Sequence, residues 1–81
     1  MLKARIHITL KNGVLDPQGT AILGALSGLG FDNIDTVRQG KVIDMNVNYT
    51  DKTQASEYLT QMCEKLLANT VIENYTISFL E

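Results

Sequence analysis

Leu2, Ala4, Ile6, Ile8 and Leu10 alternate with Lys3, Arg5, His7 and Thr9, the period of two that a strand shows when one of its faces is buried. This pattern predicts a first strand over residues 2–10, with His7 outward beside Lys3 and Arg5. Ile22, Leu23, Leu26 and Leu29 then recur at helical spacing, and Gly30 stands where a helix can end in a left-handed residue. A second alternating run sets Val37, Ile43, Met45, Val47 and Tyr49 on one parity. Asp51, with Gln54 three residues on, opens a second helix in the manner of a capping box. That helix carries Ala55, Tyr58, Leu59, Met62, Cys63, Leu66 and Leu67 on one face, and Asn69 closes it. Tyr75, Ile77 and Phe79 alternate in a last strand. The order strand, helix, strand, strand, helix, strand predicts an α+β, β-α-β-β-α-β two-layer sandwich, an antiparallel sheet with both helices on one face.

The middle of the chain admits two readings. A two-residue hairpin turn at Gln39 and Gly40 would put Val37 on the face opposite Ile43, Met45 and Val47 and expose it. A three-residue loop centred on Gly40 keeps Val37 inward, and so does one bent strand from Ile34 to Tyr49 with Gly40 as a bulge. Such a strand exceeds the usual length of about 3 to 10 residues and would project beyond its own sheet. The parity favours this form, in which the overhang pairs with a second chain and the strand is shared in a dimer.

The stretch KNGVLDPQG, Lys11 to Gly19, joins the first strand to the first helix. Asp16 can accept from a free N–H of the first helical turn, Pro17 suits the first helical position, and Gly13 supplies a positive φ where the chain leaves the strand. Val14 or Leu15 is then free to fold back onto the core. As a phosphate cradle the loop is poor. It lacks the Lys and Ser/Thr of a P-loop, and Asp16 puts negative charge where an anion would sit.

The remaining composition mostly excludes functions. The 81 residues make one domain, 1–81, with 44% hydrophobic and 20% charged residues, as in ordinary soluble domains. A formal net charge of -2 with seven scattered Lys and Arg argues against nucleic acid. No stretch reaches the about 18 apolar residues of a membrane span, and one cysteine permits no internal disulfide, so a cytoplasmic location is expected. A single histidine, His7, offers no metal cluster, and Cys63 on an apolar helix face is expected to be an inert thiol. Asp32, Asp35, Asp44, Asp51, Glu57, Glu64, Glu73 and Glu81 form no close acid and base pair. Ala21, Gly24 and Gly28 make a smooth strip along the first helix, either neutral surface or a place of close packing.

KNGVLDPQG, the LGF of Leu29 to Phe31, the VRQGK of Val37 to Lys41 and MCEKLLANTVIENY, Met62 to Tyr75, together resemble the PurS family across nearly the whole chain. Asn12 and Thr70 depart from it, since family members often carry proline there. The family comprises small subunits of the multi-chain phosphoribosylformylglycinamidine synthase of purine biosynthesis. The resemblance implies an accessory, non-catalytic subunit of a ligase complex, a dimer or tetramer that bridges a glutaminase subunit and a large synthetase subunit and assists ammonia transfer. It also implies no cofactor in this chain, with ATP and magnesium in the synthetase partner. Candidate contacts to a partner or second subunit are Gly13, Asp16, Gly24, Gly28, Arg38, Gly40 and Lys41. The alternative is a free-standing regulatory domain binding a small metabolite. An acylphosphatase-like enzyme would need an Arg in the first loop, and an RNA-binding module would need aromatics on the first strand. The chain has neither.

Overall fold

The computed structural model describes residues 1–80. Glu81 lies outside them, and with it one of the acidic residues considered above. Strand β1, Leu2–Leu10, is the centre of a three-stranded antiparallel sheet. On one side it pairs with β2, Gly40–Val47, from Leu2↔Val47 to Thr9↔Gly40, and on the other with β3, Glu73–Leu80, from Lys3↔Leu80 to Leu10↔Glu73. Because side chains alternate, one face of β1 presents Ala4, Ile6 and Ile8, all fully buried. The other presents Lys3, Arg5 and His7, which are exposed as expected. On that outer face Arg5 and Asp44 stand directly opposite each other. Nε and Nη2 donate to the two carboxylate oxygens at 2.8 and 3.0 Å.

Helix α2, Lys52–Met62, covers the apolar face, packing Ala55 and Leu59 into one core with Ala4, Ile6 and Ile8. Asp51 caps it by accepting from the Thr53 N–H at 3.0 Å. The helix then continues as a single π-helical turn, Cys63–Leu67, in which the Ala68 N–H reaches back five residues to the Cys63 carbonyl at 3.0 Å. This extra residue changes the phase of the apolar face. Cys63 stays fully buried, Leu67 half-buried, but Leu66 is 82% exposed. The expectation that Leu66 belongs to the core fails for that reason. Nor does Asn69 close the helix in a left-handed conformation, because Gly13 and Gly30 alone have positive φ among the described residues. Instead its side-chain oxygen accepts from Val71 at 3.2 Å, and its carbonyl accepts from Ile72 and Glu73, which turns the chain into β3.

Helix α1, Pro17–Gly28, does not lie on the sheet. Gly19 is its one buried residue. The helix ends in a Schellman motif. Gly30 has φ +98°, its N–H bonds the Ser27 carbonyl at 3.1 Å, and the Phe31 N–H bonds the Leu26 carbonyl at 2.9 Å. From there residues 31–39 return to the sheet with neither helix nor ladder bonds. The α+β class and the antiparallel sheet are as expected, but two details of the expected order are corrected. Residues 34–39 form no separate strand within the chain, so no hairpin closes at Gly40, and only one helix covers the sheet. The cause is the same in both cases: α1 and residues 31–39 form an arm that finds no apolar surface in its own chain. The molecule accordingly extends 48 × 28 × 15 Å with a radius of gyration of 16.1 Å, against roughly 12 Å for a compact domain of this length.

Candidate assembly surface

The loop that begins at Lys11 takes the conformation its residues favour. Gly13 has φ +86°, and Val14 donates back to the Lys11 carbonyl at 3.2 Å. Asp16 sits in extended backbone, and Oδ1 accepts from the Gly19 N–H at 2.9 Å, capping α1 behind Pro17. Its other oxygen, Oδ2, accepts from the Gln39 N–H at 2.8 Å. This second bond joins the start of the arm to its end. The two donated N–H groups, Gln39's first, hold the Asp16 carboxyl below its ordinary range, helped by the nearby Arg38 charge. Arg38 reaches the other way. Its Nη2 donates to the carbonyls of Leu10 and Lys11 at 2.6 and 3.1 Å.

Gly40 opens β2 opposite Thr9, and a Cβ there would stand 2.7 Å from the Ile8 carbonyl oxygen and 2.9 Å from Thr9 Cγ2. The expected bulge or positive φ is absent; close backbone approach is what requires glycine. Lys41 follows, with Nζ 3.7 Å from Glu73 Oε2, while Glu73 Oε1 accepts from the Asn69 N–H at 2.6 Å. Between these groups lies an open cleft of about 380 Å³, walled by residues 8–10, 16–18, 39–41 and Glu73. Both of its carboxylates are already hydrogen-bonded within the chain, so it is built as a junction.

Of the expected contact residues, Asp16, Arg38, Gly40 and Lys41 thus meet at the base of the arm, with Gly13 in the adjoining loop. Gly24 and Gly28 are apart from them on exposed α1, with nothing within 4 Å of where a Cβ would be. Sequence reasoning missed Gly19, whose Cβ would run into the Val37 carbonyl as the return segment crosses the first turn of α1. It also missed the apolar residues the arm leaves exposed, Ile22, Leu29 and Phe31, the last two 75% and 58% accessible. The helical spacing of Ile22 and Leu29 was visible, but it marks an apolar stripe without saying which chain covers it.

Chemically the described residues offer little. Burial, and secondarily the Glu64 charge, push the Cys63 thiol up and keep it protonated. His7 is exposed, Tyr75 donates to Glu64 Oε2 at 2.7 Å on the surface, and no group of three His, Cys, Asp or Glu is placed to hold a metal ion. No helix among the described residues is long and apolar enough to cross a membrane.

The family model described as PurS, phosphoribosylformylglycinamidine (FGAM) synthase, matches residues 3–81. The phosphoribosylformylglycinamidine synthase subunit PurS of Synechocystis sp. is 51% identical over 71 residues, covering 88% of this chain and 71% of that one. The same subunit of Mycobacterium leprae is 46% identical over 78 residues, covering 96% and 95%. Among solved structures, Methanocaldococcus jannaschii PurS is described as one of the subunits of formylglycinamide ribonucleotide amidotransferase in the purine biosynthetic pathway. It superposes with a TM-score of 0.90 at 42% identity, over 100% of this chain and 98% of that one. A chain of PurLQS from Thermotoga maritima gives 0.88 at 32% identity, over 98% and 96%. A fold match that spans both chains end to end, joined to this level of identity, leaves one assignment: the chain belongs to the PurS family.

Proposed function

We propose that the chain is the PurS subunit of a phosphoribosylformylglycinamidine synthase, a ligase complex, and that it acts by holding other subunits together, with no active site of its own. The observation that carries the reading is the end-to-end likeness to a chain of the Thermotoga maritima PurLQS structure. The scarcity of reactive groups supports it, since an exposed histidine, a buried protonated thiol and dispersed carboxylates assemble no nucleophile with its base. On this reading the glutaminase subunit releases ammonia and the large synthetase subunit holds ATP and magnesium. The present chain fixes their relative position so that ammonia passes without loss to water, and the complex works in the cytoplasm. The alternative of a free-standing metabolite-binding domain gains no support from the relatives above, which are named as subunits.

The chain performs this role as a dimer or larger assembly. An accessible surface of 5871 Å² exceeds by roughly 1,000 Å² the about 4,900 Å² of a compact monomer of 9.0 kDa, and that excess is about what one partner contributes to a standard interface. The outer edge of β2 pairs with nothing among the described residues. Residues 34–39 of a second copy supply the strand that this edge needs, which is the shared-strand arrangement favoured by the parity of Val37. Gly13, Asp16, Arg38, Gly40 and Lys41 then border the subunit contact, and Gly24 and Gly28 give a smooth surface for another chain.

The decisive experiment is reconstitution. Glutamine-dependent synthase activity of the glutaminase and synthetase subunits should appear only when this chain is added, and the chain alone should turn over neither glutamine nor ATP. Full activity without it, or turnover by the pure chain that one substitution in it abolishes, would overturn the proposal.

A further inference from the structure

The arm is tied to the sheet at two places, the loop of residues 11–16 and the junction of Gln39 with Gly40. Three contacts cross this base. The Asp16 carboxylate joins the Gly19 and Gln39 amides at 2.9 and 2.8 Å, Arg38 grips the Leu10 and Lys11 carbonyls at 2.6 and 3.1 Å, and Gly19 lets the Val37 carbonyl pass against the helix. Capping alone would need only one acceptor oxygen, which Ser, Thr or Asn provides as well as Asp. A carboxylate offers two, and the structure uses both, one on each leg of the arm. The Arg38 guanidinium, through the two N–H groups of Nη2, adds a link from the returning leg to the end of β1.

We infer that Asp16 and Arg38 form a clasp that sets the angle of the arm against the sheet, and so act as positioning residues for assembly. The arm is a lever. A helix of 12 residues is about 18 Å long, so a swing of about 10° at its base moves the tip by about 3 Å. Neighbouring strands lie only about 4.8 Å apart, and an error of that size prevents the return segment from meeting a ladder in register. The inference rests on the dimer reading above for its consequence, but the clasp itself is a property of one chain.

The test measures the arm directly. Nitroxides are placed at the exposed positions Asp32→Cys near the arm's tip and Thr76→Cys on β3, while Cys63, being buried, stays unlabelled. Labelled chain is diluted into excess unlabelled chain so that pulsed electron resonance reads the distance within one chain. Asp16→Asn keeps the helix cap but turns an amide N–H toward the Gln39 donor, and Arg38→Ala removes the other grip. Both should broaden the distance distribution at least twofold while circular dichroism shows unchanged helix content. If Arg38→Ala does not fold, Arg38→Met, which keeps an apolar stem and removes the donors to Leu10 and Lys11, gives the same readout. Distributions as narrow as the wild type's in both variants would overturn the clasp. Light scattering on the same samples separates the two ideas, since a monomeric wild type refutes the dimer while the in-chain distance still judges the clasp.

Discussion

Asp16 accepts from the Gly19 and Gln39 amides at once, and these bonds favour its charged form. Its folded pKa is therefore depressed below the ordinary 3.8. Stability from such a group is present above the unfolded pKa and is lost as pH falls through the folded value. The difference in urea midpoint between wild type and Asp16→Asn should thus be full near pH 7 and shrink below about pH 4. A gap that stays constant to pH 3 would show that the carboxylate's charge is irrelevant. Tyr75 presents the opposite sign. Its phenol donates to Glu64, which, with burial and the Glu64 charge behind it, raises the pKa to about 12. The stabilisation is complete below the unfolded value of about 10 and is lost as pH rises toward 12. Subtracting the ultraviolet titration of Tyr75→Phe from that of the wild type should leave one phenol ionising near pH 12.

Among the elements, α2 and its π turn separate two leucines that a plain helix would treat alike. Leu59 is fully buried against the sheet, while Leu66 is 82% exposed. Leu59→Ala should cost about 2 to 5 kcal/mol and Leu66→Ala under about 0.5 kcal/mol in chemical denaturation. A Leu66 loss comparable to Leu59's would mean that another chain covers it. The contrast also marks what the residue pattern could say. β1 and β3 were legible because strict alternation admits one facing, and α1 because Asp16, Pro17 and Gly30 carry start and stop chemistry that depends only on neighbouring atoms. The π turn was not, because the extra residue within Cys63–Leu67 is marked by no particular side-chain type. Nor could the second bond of Asp16 be read, since Gln39 lies 23 positions away. The family resemblance identified the stretches around Asp16 and Arg38 but not what they touch. The return segment was not legible, for residues 31–39 form no ladder within the chain and the parity of Val37 does not say which chain answers it.

For the whole molecule, the dimer proposed above would couple folding to association, as the excess surface and elongated shape suit. The melting temperature should rise with protein concentration, and light scattering should find the folded monomer scarce across dilution. Gly40→Val, which drives a side chain into the Ile8 carbonyl, should cost about 1 to 3 kcal/mol and lower the assembled fraction. A wild type that stays a stable monomer at every accessible concentration would rule out the shared strand.

The central position of β1 has a consequence for how the polypeptide is made. The first strand leaves the ribosome early, yet one of its two neighbours is the last strand, and Lys3 is paired with Leu80. β1 can bond to β2 once residue 47 is out, but its other edge stays open until residues 73–80 have been translated. Contacts so distant in sequence close slowly, because the loop entropy is lost before the ladder forms. The nascent chain therefore carries an apolar strand with a bare edge from the emergence of β1 until β3 follows it, and in that interval the edge is open to aggregation.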